Sequence, residues 1–348
     1  MPPEPPLRLI LSKDALVANW RWLAAQGGRA ACGAAVKADG YGLGAGAVVD
    51  ALAAAGCRDF FVATWSEALA LGRLDDGLSL SVLHGIRDAD LPVASDHKAR
   101  PVLNSPAMIA RWCEAAPGRP CDVMIDTGMN RLGLTPEEAR SPLTAPLAIE
   151  TLMSHLACAD EPGHAMNEQQ LFTFRGLKGQ VPARRYSLAN SAGVCLGRRY
   201  AFDLTRPGLA LYGGQPVQGL DDAILQVARV EAALIQIREI AAGQTVGYGA
   251  TFTAPRPMRI GILNIGYADG YLRAWAGHGI ARLDGAACPL VGRVSMDLVA
   301  IDLTAAPQGR EGDWLTLDYA LPAAAAATGL SQYELLTGLG PRYQRRWS

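Results

Sequence analysis

From about residue 34 the chain repeats one beat: a short apolar run, a polar or glycine turn, then a segment of helical composition. Such a beat reads as successive βα units. Eight apolar runs fit it: Cys32 to Lys37, Asp59 to Thr64, Leu80 to Gly85, Pro101 to Ser105, Cys121 to Thr127, Ile149 to His155, Tyr186 to Ser191, and Phe202 to Thr205. Alanine- and leucine-rich stretches such as AGAVVDALAAAG and PAMIARWCEAA lie between them. Eight units in about 200 residues predict an α/β fold of the (β/α)8 TIM-barrel type, since open doubly wound sheets usually carry fewer strands.

The beat changes after GLALYGGQPVQGLDDA. From about Gln226 the runs LIQIREI, TVGYGATFTA, MRIGILNIG, LVGRVSMDLVAIDL and DWLTLD follow one another with turns but few helices. This predicts two domains, a barrel over residues 1–226 and a mostly β domain over residues 227–348. The first residues, 1–8 with LRLIL running on from Leu7, are a candidate strand for the second domain. PAAAAATG, Pro322 to Gly329, reads as an alanine-rich helix leading into LSQYELL. At 348 residues the chain also exceeds the roughly 250 to 300 residues at which single cores stop growing.

Half the residues are hydrophobic and 19% are charged, the balance of a globular protein. With 32 basic against 33 acidic side chains there is no global field to draw in nucleic acid or an anionic membrane. The seven cysteines include no C-x-x-C pair, so neither a zinc site nor a disulfide framework is expected. No stretch approaches the ~20 apolar residues of a membrane span, and MPPEPPLRLI lacks the basic and apolar regions of a secretory signal. A cytoplasmic enzyme acting on a small molecule is the expectation, with a mature form whose signal has been removed left open.

Polar residues at the C-terminal ends of barrel strands are those that face substrate. Lys37, Asp126 to Arg131, His155, Asn190 with Ser191, and Arg206 fall there. A lysine ending an apolar strand either lies in a desolvated pocket, where its amine becomes nucleophilic, or reaches past the rim to solvent. The run after Lys37 also imitates a dinucleotide fingerprint, with Gly40, Gly42 and Ala45 as G-x-G-x-x-A and Asp59 downstream. An NAD-binding oxidoreductase is therefore a rival reading.

Nine blocks in order resemble the alanine racemase family of fold-type III pyridoxal-phosphate enzymes. They are AVKADGYG, IDTGMNRLG, MSHLACAD, LANSAG and TRPGLALYG in the first domain, and VGYG, IGYADG, GRVSMD and QYELLTGLG in the second. The resemblance implies pyridoxal 5'-phosphate carried on Lys37. Its phosphate would be held by Tyr41, Ser191, Tyr333 and the backbone amides near Gly208 and Leu209, with Asn190 supporting the ring and Arg206 facing the ring nitrogen. Arg131 and the backbone of Met296 of the partner subunit would bind the substrate carboxylate. Racemisation needs a proton to leave one face of the α-carbon and another to arrive on the opposite face, and the resemblance assigns these to Lys37 and Tyr267.

Tyr267 would come from the partner subunit of a homodimer with shared active sites, with His155 and Arg206 as nearby cations favouring its phenolate. The implied reaction interconverts L-alanine and D-alanine, supplying D-alanine for peptidoglycan. Serine or broad amino-acid specificity is an alternative, and a non-catalytic pyridoxal-phosphate carrier is a third class. Three positions depart from the family pattern. Met124 stands two residues before the aspartate of DTGM, where many members carry a modified lysine that helps place the arginine. Asp39 and Leu43 replace the usual Asn and His of the lysine motif.

Overall fold

A computed structural model describes residues 4–220 and 223–348. The chain divides into two compact units, one of Leu16–Leu225 and one combining the segment up to Ala15 with Gln226–Ser348. The first strand, β1 (Leu7–Leu11), belongs to the latter unit.

In the unit Leu16–Leu225, β2 (Ala31–Cys32) and β3 (Ala34–Ala35) are two halves of one run on either side of Gly33. There follow β4 (Asp59–Val62), β5 (Ser79–Val82), β6 (Arg100–Leu103), β7 (Pro120–Met124), β8 (Ala148–Met153), β9 (Arg185–Ser187) and β10 (Leu204–Thr205). The strands from β3 to β9 form a seven-stranded sheet in chain order, every pair parallel. Strand β10 pairs in parallel with β2. The seam between β9 and β10 is held by the Asp203 amide donating to the Tyr186 carbonyl at 3.0 Å and the Arg206 amide to the Ala189 carbonyl at 2.8 Å. The ring thereby closes, and continuous burial such as that of DFFV in β4 follows from packing on both faces.

The apolar runs read from sequence overshoot the observed strands at their C-terminal ends. Thr64 and Ser105 are not strand residues but helix N-caps, accepting the Glu67 and Met108 amides. An extended N-cap after an apolar strand looks like more strand, yet it has already left the ladder. At the opposite, N-terminal end of the strands sits a buried ionic cluster. Arg185 grips Asp59 with two hydrogen bonds, and Asp122 accepts from Ser81 at 2.6 Å and from Arg100 at 3.3 Å. Burial raises the Asp122 carboxyl above its ordinary range, whereas for Asp59 the same burial is outweighed by Arg185 and Ser79 and its pKa is lowered. In this fold such chemistry at the strand N-termini serves stability, leaving the other rim for function.

The second unit is built on β11 (Ala228–Ile240), β12 (Thr245–Val246), β13 (Phe252–Thr253), β14 (Met258–Leu263), β15 (Ile280–Leu283), β16 (Ala286–Val291), β17 (Val299–Asp302), β18 (Trp314–Leu317) and β19 (Gln344–Trp347). Its main sheet runs β14-β17-β16-β15-β18-β11-β1-β19, and an added β14–β11 pairing closes an antiparallel barrel. The 13-residue β11 makes this possible, because a register shift between Leu234 and Gln236 lets its second half turn onto β14. Leu7, Leu9 and Leu11 of β1 are buried in alternation while the strand pairs with both β11 and β19. The alanine-rich segment is helical over Leu321–Thr328 and a second helix follows at Gln332–Thr337. Among the described residues no helix is long and apolar enough to cross a membrane.

Candidate active site

Lys37 follows β3 by one residue, at the rim of the parallel barrel, and is half-buried. The four residues after it are all left-handed: Ala38 at φ 53°, Asp39 at 51°, Gly40 at 62° and Tyr41 at 55°. A left-handed turn costs a non-glycine residue roughly 1–2 kcal/mol, so three of these four must be held there by their surroundings. The holds are visible. The Asp39 carboxylate accepts the Ala45 amide at 2.8 Å at the head of the helix Ala45–Ala55, and Glu67 accepts the Ala38 amide at 2.8 Å. Asp39, a departure from the family pattern, thus acts as a helix cap.

Tyr41, buried, stacks on Tyr212 with ring centroids 4.6 Å apart, and the Tyr212 hydroxyl donates to the Ala35 carbonyl at 2.8 Å. A Cβ on Gly208 would lie 2.2 Å from the Tyr41 hydroxyl oxygen, so glycine is what admits the tyrosine there. Ser191 meets the same place from the β9 side: its hydroxyl accepts the amides of Gly208 at 2.9 Å and Ala210 at 3.2 Å. Ser191 thus satisfies the Gly208 amide that the resemblance assigns to a phosphate. Leu209 opens the short 3-10 turn Leu209–Tyr212, where the first amides have no partner inside the turn. Asn190 caps the helix Ser191–Cys195 by accepting the Gly193 amide at 2.8 Å.

Arg206 is buried, with its guanidinium donating to the Ser187 hydroxyl and the Ser154 carbonyl. Burial lowers its pKa to about 10, with Asp122 pulling the other way, so it stays cationic at neutral pH. His155 lies at the end of β8, and burial together with Arg206, Arg131 and Lys37 lowers its pKa to about 3. Burial and these three cations thus all oppose a positive charge on the imidazole, against the expectation that His155 contributes one. Burial and Arg131 likewise hold the Lys37 ammonium below the ordinary lysine range, while Glu67 opposes them. Arg131 is exposed on the loop after β7, whose base is pinned by Asp126 accepting the Gly128 and Asn130 amides at 2.8 and 3.1 Å. Met124 is buried at the end of β7.

The histidine makes a pH dependence. Its folded pKa lies below the ordinary 6.5, so its neutral form supports folding above about pH 6.5 and this support is lost as pH falls. From pH 6.5 to 5 the loss is at most about 2 kcal/mol, at ~1.4 kcal/mol per unit. His155→Gln is expected to lose less stability than the parent over that interval, measured by urea unfolding at both pH values. Equal losses would remove His155 from the acid response.

In the second unit, Tyr267 opens the 3-10 turn Tyr267–Asp269 after β14. The turn lies against the loop that carries Met296: the Tyr267 amide donates to the Ser295 carbonyl and the Ala268 amide to the Met296 carbonyl, both at 3.0 Å. A Cβ on Gly266 would lie 2.3 Å from the Met296 carbonyl oxygen, so these loops touch through bare backbone. Asp269 is wholly buried and accepts two hydrogen bonds from Arg342, at 2.6 and 2.8 Å, and one from the Gly266 amide at 3.0 Å. The Arg273 guanidinium stands 5.2 Å from the Tyr267 ring centre. Met296 and Tyr333 are exposed.

Lys37, Tyr41, Arg131, His155, Asn190, Ser191, Arg206, Gly208 and Leu209 thus belong to the parallel barrel unit, and Tyr267, Met296 and Tyr333 to the antiparallel one. Sequence reasoning missed Glu67, Tyr212, Gln170 and the Asp269–Arg342 pair. Gln170 is buried and joins Thr127, His155 and Ala157 by hydrogen bonds of 3.1, 2.9 and 2.9 Å. Glu67 carried a signal as the last residue of a Thr-x-x-Glu capping box, and Tyr212 and Asp269 lie within the TRPGLALYG and IGYADG blocks.

A parallel barrel with an amine, an imidazole and a buried guanidinium at the C-terminal rim of its strands has the make-up of an enzyme of the parallel-barrel class. Known proteins narrow this. Residues 11–216 match the model of the alanine racemase N-terminal domain and residues 227–347 that of the alanine racemase C-terminal domain. The chain belongs to the alanine racemase family. It is 43% identical to an alanine racemase of Methylobacterium nodulans across 98% of this chain and 95% of that protein. It is 40% identical to a biosynthetic alanine racemase of Agrobacterium fabrum across 99% and 94%. Among solved structures, alanine racemase from Bartonella henselae with covalently bound pyridoxal phosphate superposes with a TM-score of 0.91 at 34% identity, covering 99% of this chain and all of that one.

Proposed function

We propose that this chain interconverts L-alanine and D-alanine with pyridoxal 5'-phosphate held on Lys37, as the cytoplasmic supply of D-alanine for peptidoglycan. The observation that carries the reading is the Lys37 turn: four consecutive left-handed residues present an amine at a barrel rim, where burial and Arg131 keep it below its ordinary pKa. The donor set fits the group. Its phosphate would be held by the hydroxyls of Tyr41 and Ser191, the Leu209 amide and Tyr333, and backbone donors at a turn suit an anion. Asn190 and His155 would flank the ring, and Arg206, held cationic, would disfavour a proton on the ring nitrogen. All seven cysteines are free, which suits a reducing compartment.

When bound, the cofactor supplies an electron sink for the α-carbon. The protein's own residues then do the rest. Arg131 and the backbone of Met296 of the partner subunit hold the substrate carboxylate, which fixes the α-carbon between two acid/base groups. The Lys37 amine takes or gives the proton on one face, and the phenol of Tyr267 of the partner subunit does so on the other. His155 and Arg206 are the groups that would face that phenol. The shared site makes a homodimer part of this reading.

Following loss of optical rotation across a panel of single L- and D-amino acids tests the substrate. Alanine is expected to turn over fastest in both directions. Serine ahead of alanine would move the assignment to the serine or broad-specificity alternative, and NAD binding with no visible cofactor band would overturn it.

A further inference from the structure

We propose that Glu67 is a positioning residue for the Lys37 amine, its carboxylate tying the left-handed turn that presents Lys37 to the loop after β4. In the helix Trp65–Leu71, Glu67 completes a capping box: Thr64 accepts its amide at 3.2 Å and its Oε2 accepts the Thr64 amide at 3.4 Å. A cap needs no more than that. Oε2 also takes the Ala63 amide at 2.6 Å, and Oε1 reaches out of its own helix to the Ala38 amide at 2.8 Å, 29 residues away and next to Lys37.

The reach has a physical purpose. Ala38 is the first of four consecutive left-handed residues, and nothing in its methyl side chain selects that conformation. A charge-assisted hydrogen bond on its amide does select it, because the amide must point at the carboxylate. The peptide so fixed joins Ala38 to Lys37, hence the direction in which the lysine side chain leaves the rim. One carboxylate is also the counter-charge among the groups around the amine: Arg131 opposes the ammonium and Glu67 favours it. Glu67 therefore sets both where the amine stands and how readily it protonates.

The inference rests on Lys37 as the cofactor lysine, and the test separates the two. In the full-length chain stripped of cofactor, the capture of added pyridoxal phosphate is followed by visible absorbance across pH, and kcat/KM against pH is followed in the holoenzyme. Glu67→Gln is expected to shift the capture midpoint to lower pH and cut the plateau rate about tenfold, the effect of one charge-assisted hydrogen bond. Glu67→Asp keeps the charge but loses reach, so its midpoint stays with the parent while its plateau falls. Thr64→Ala weakens the same helix cap without touching the carboxylate, and should leave both capture parameters unchanged. If Glu67→Gln leaves midpoint and plateau unmoved, or Thr64→Ala reproduces its effects, Glu67 is only a cap and the proposal fails. Failure of the parent itself to be trapped by borohydride on Lys37 would instead sink the cofactor reading.

Discussion

Tyr267→Phe is expected to keep its fold and its cofactor and to lose racemisation by about 10²- to 10⁴-fold, the range for removing one general acid or base. The substitution is clean because, among the described residues, nothing that builds the Tyr267 turn uses the phenol. Its backbone is bonded to Ser295 and Met296, Asp269 is anchored by Arg342, and the Arg273 guanidinium sits over a ring that phenylalanine retains. The loss should also be lopsided. With Lys37 intact, exchange of the α-hydrogen with solvent survives from the enantiomer whose hydrogen faces the lysine and collapses from the other. Hydrogen-isotope exchange of L- and D-alanine read by NMR checks this. Unchanged turnover in both directions would take Tyr267 out of the mechanism.

Lys37→Ala has the other large effect: no visible band from bound cofactor, nothing to trap with borohydride, and no measurable racemisation. The variant also reports on assembly. Mixed with Tyr267→Phe under conditions of subunit exchange, half of the dimers are hybrids by random pairing. Each hybrid has one site with both groups intact, if every site takes Lys37 from one chain and Tyr267 from the other. Activity should recover to about a quarter of the parent, from two preparations that are each inactive. Proven exchange without recovery would mean that each site is built from a single chain.

Much of the architecture was legible in the pattern of apolar runs. The change from a beat of run, turn and helix to closely spaced runs near Gln226 marks the passage from parallel barrel to antiparallel sheet, because helical crossovers are what parallel strands require. The ends of the runs were less legible. Thr64 and Ser105 continue the extended backbone of a strand while bonding to a helix, and a string of residues does not distinguish these. LRLIL alternates in burial as a strand should, but its partners lie more than 200 residues away, at Ala228–Ala232 and Gln344–Trp347.

Chemistry divides along the same line. Lysine, tyrosine and glycine at close spacing after an apolar run can be read from the chain itself, since strand ends and turns are local and the order of motifs survives folding. What the tertiary structure alone decided is charge and aim. The His155 pKa is pushed down by burial and by Arg206, Arg131 and Lys37, and those residues are scattered from position 37 to 206. The Gly208 amide is filled by Ser191, and the Lys37 turn is held left-handed by Glu67, for the same reason. Hydrogen bonds act over 3 Å and Coulomb forces over a few more, so they depend on neighbours in space, which sequence order does not supply.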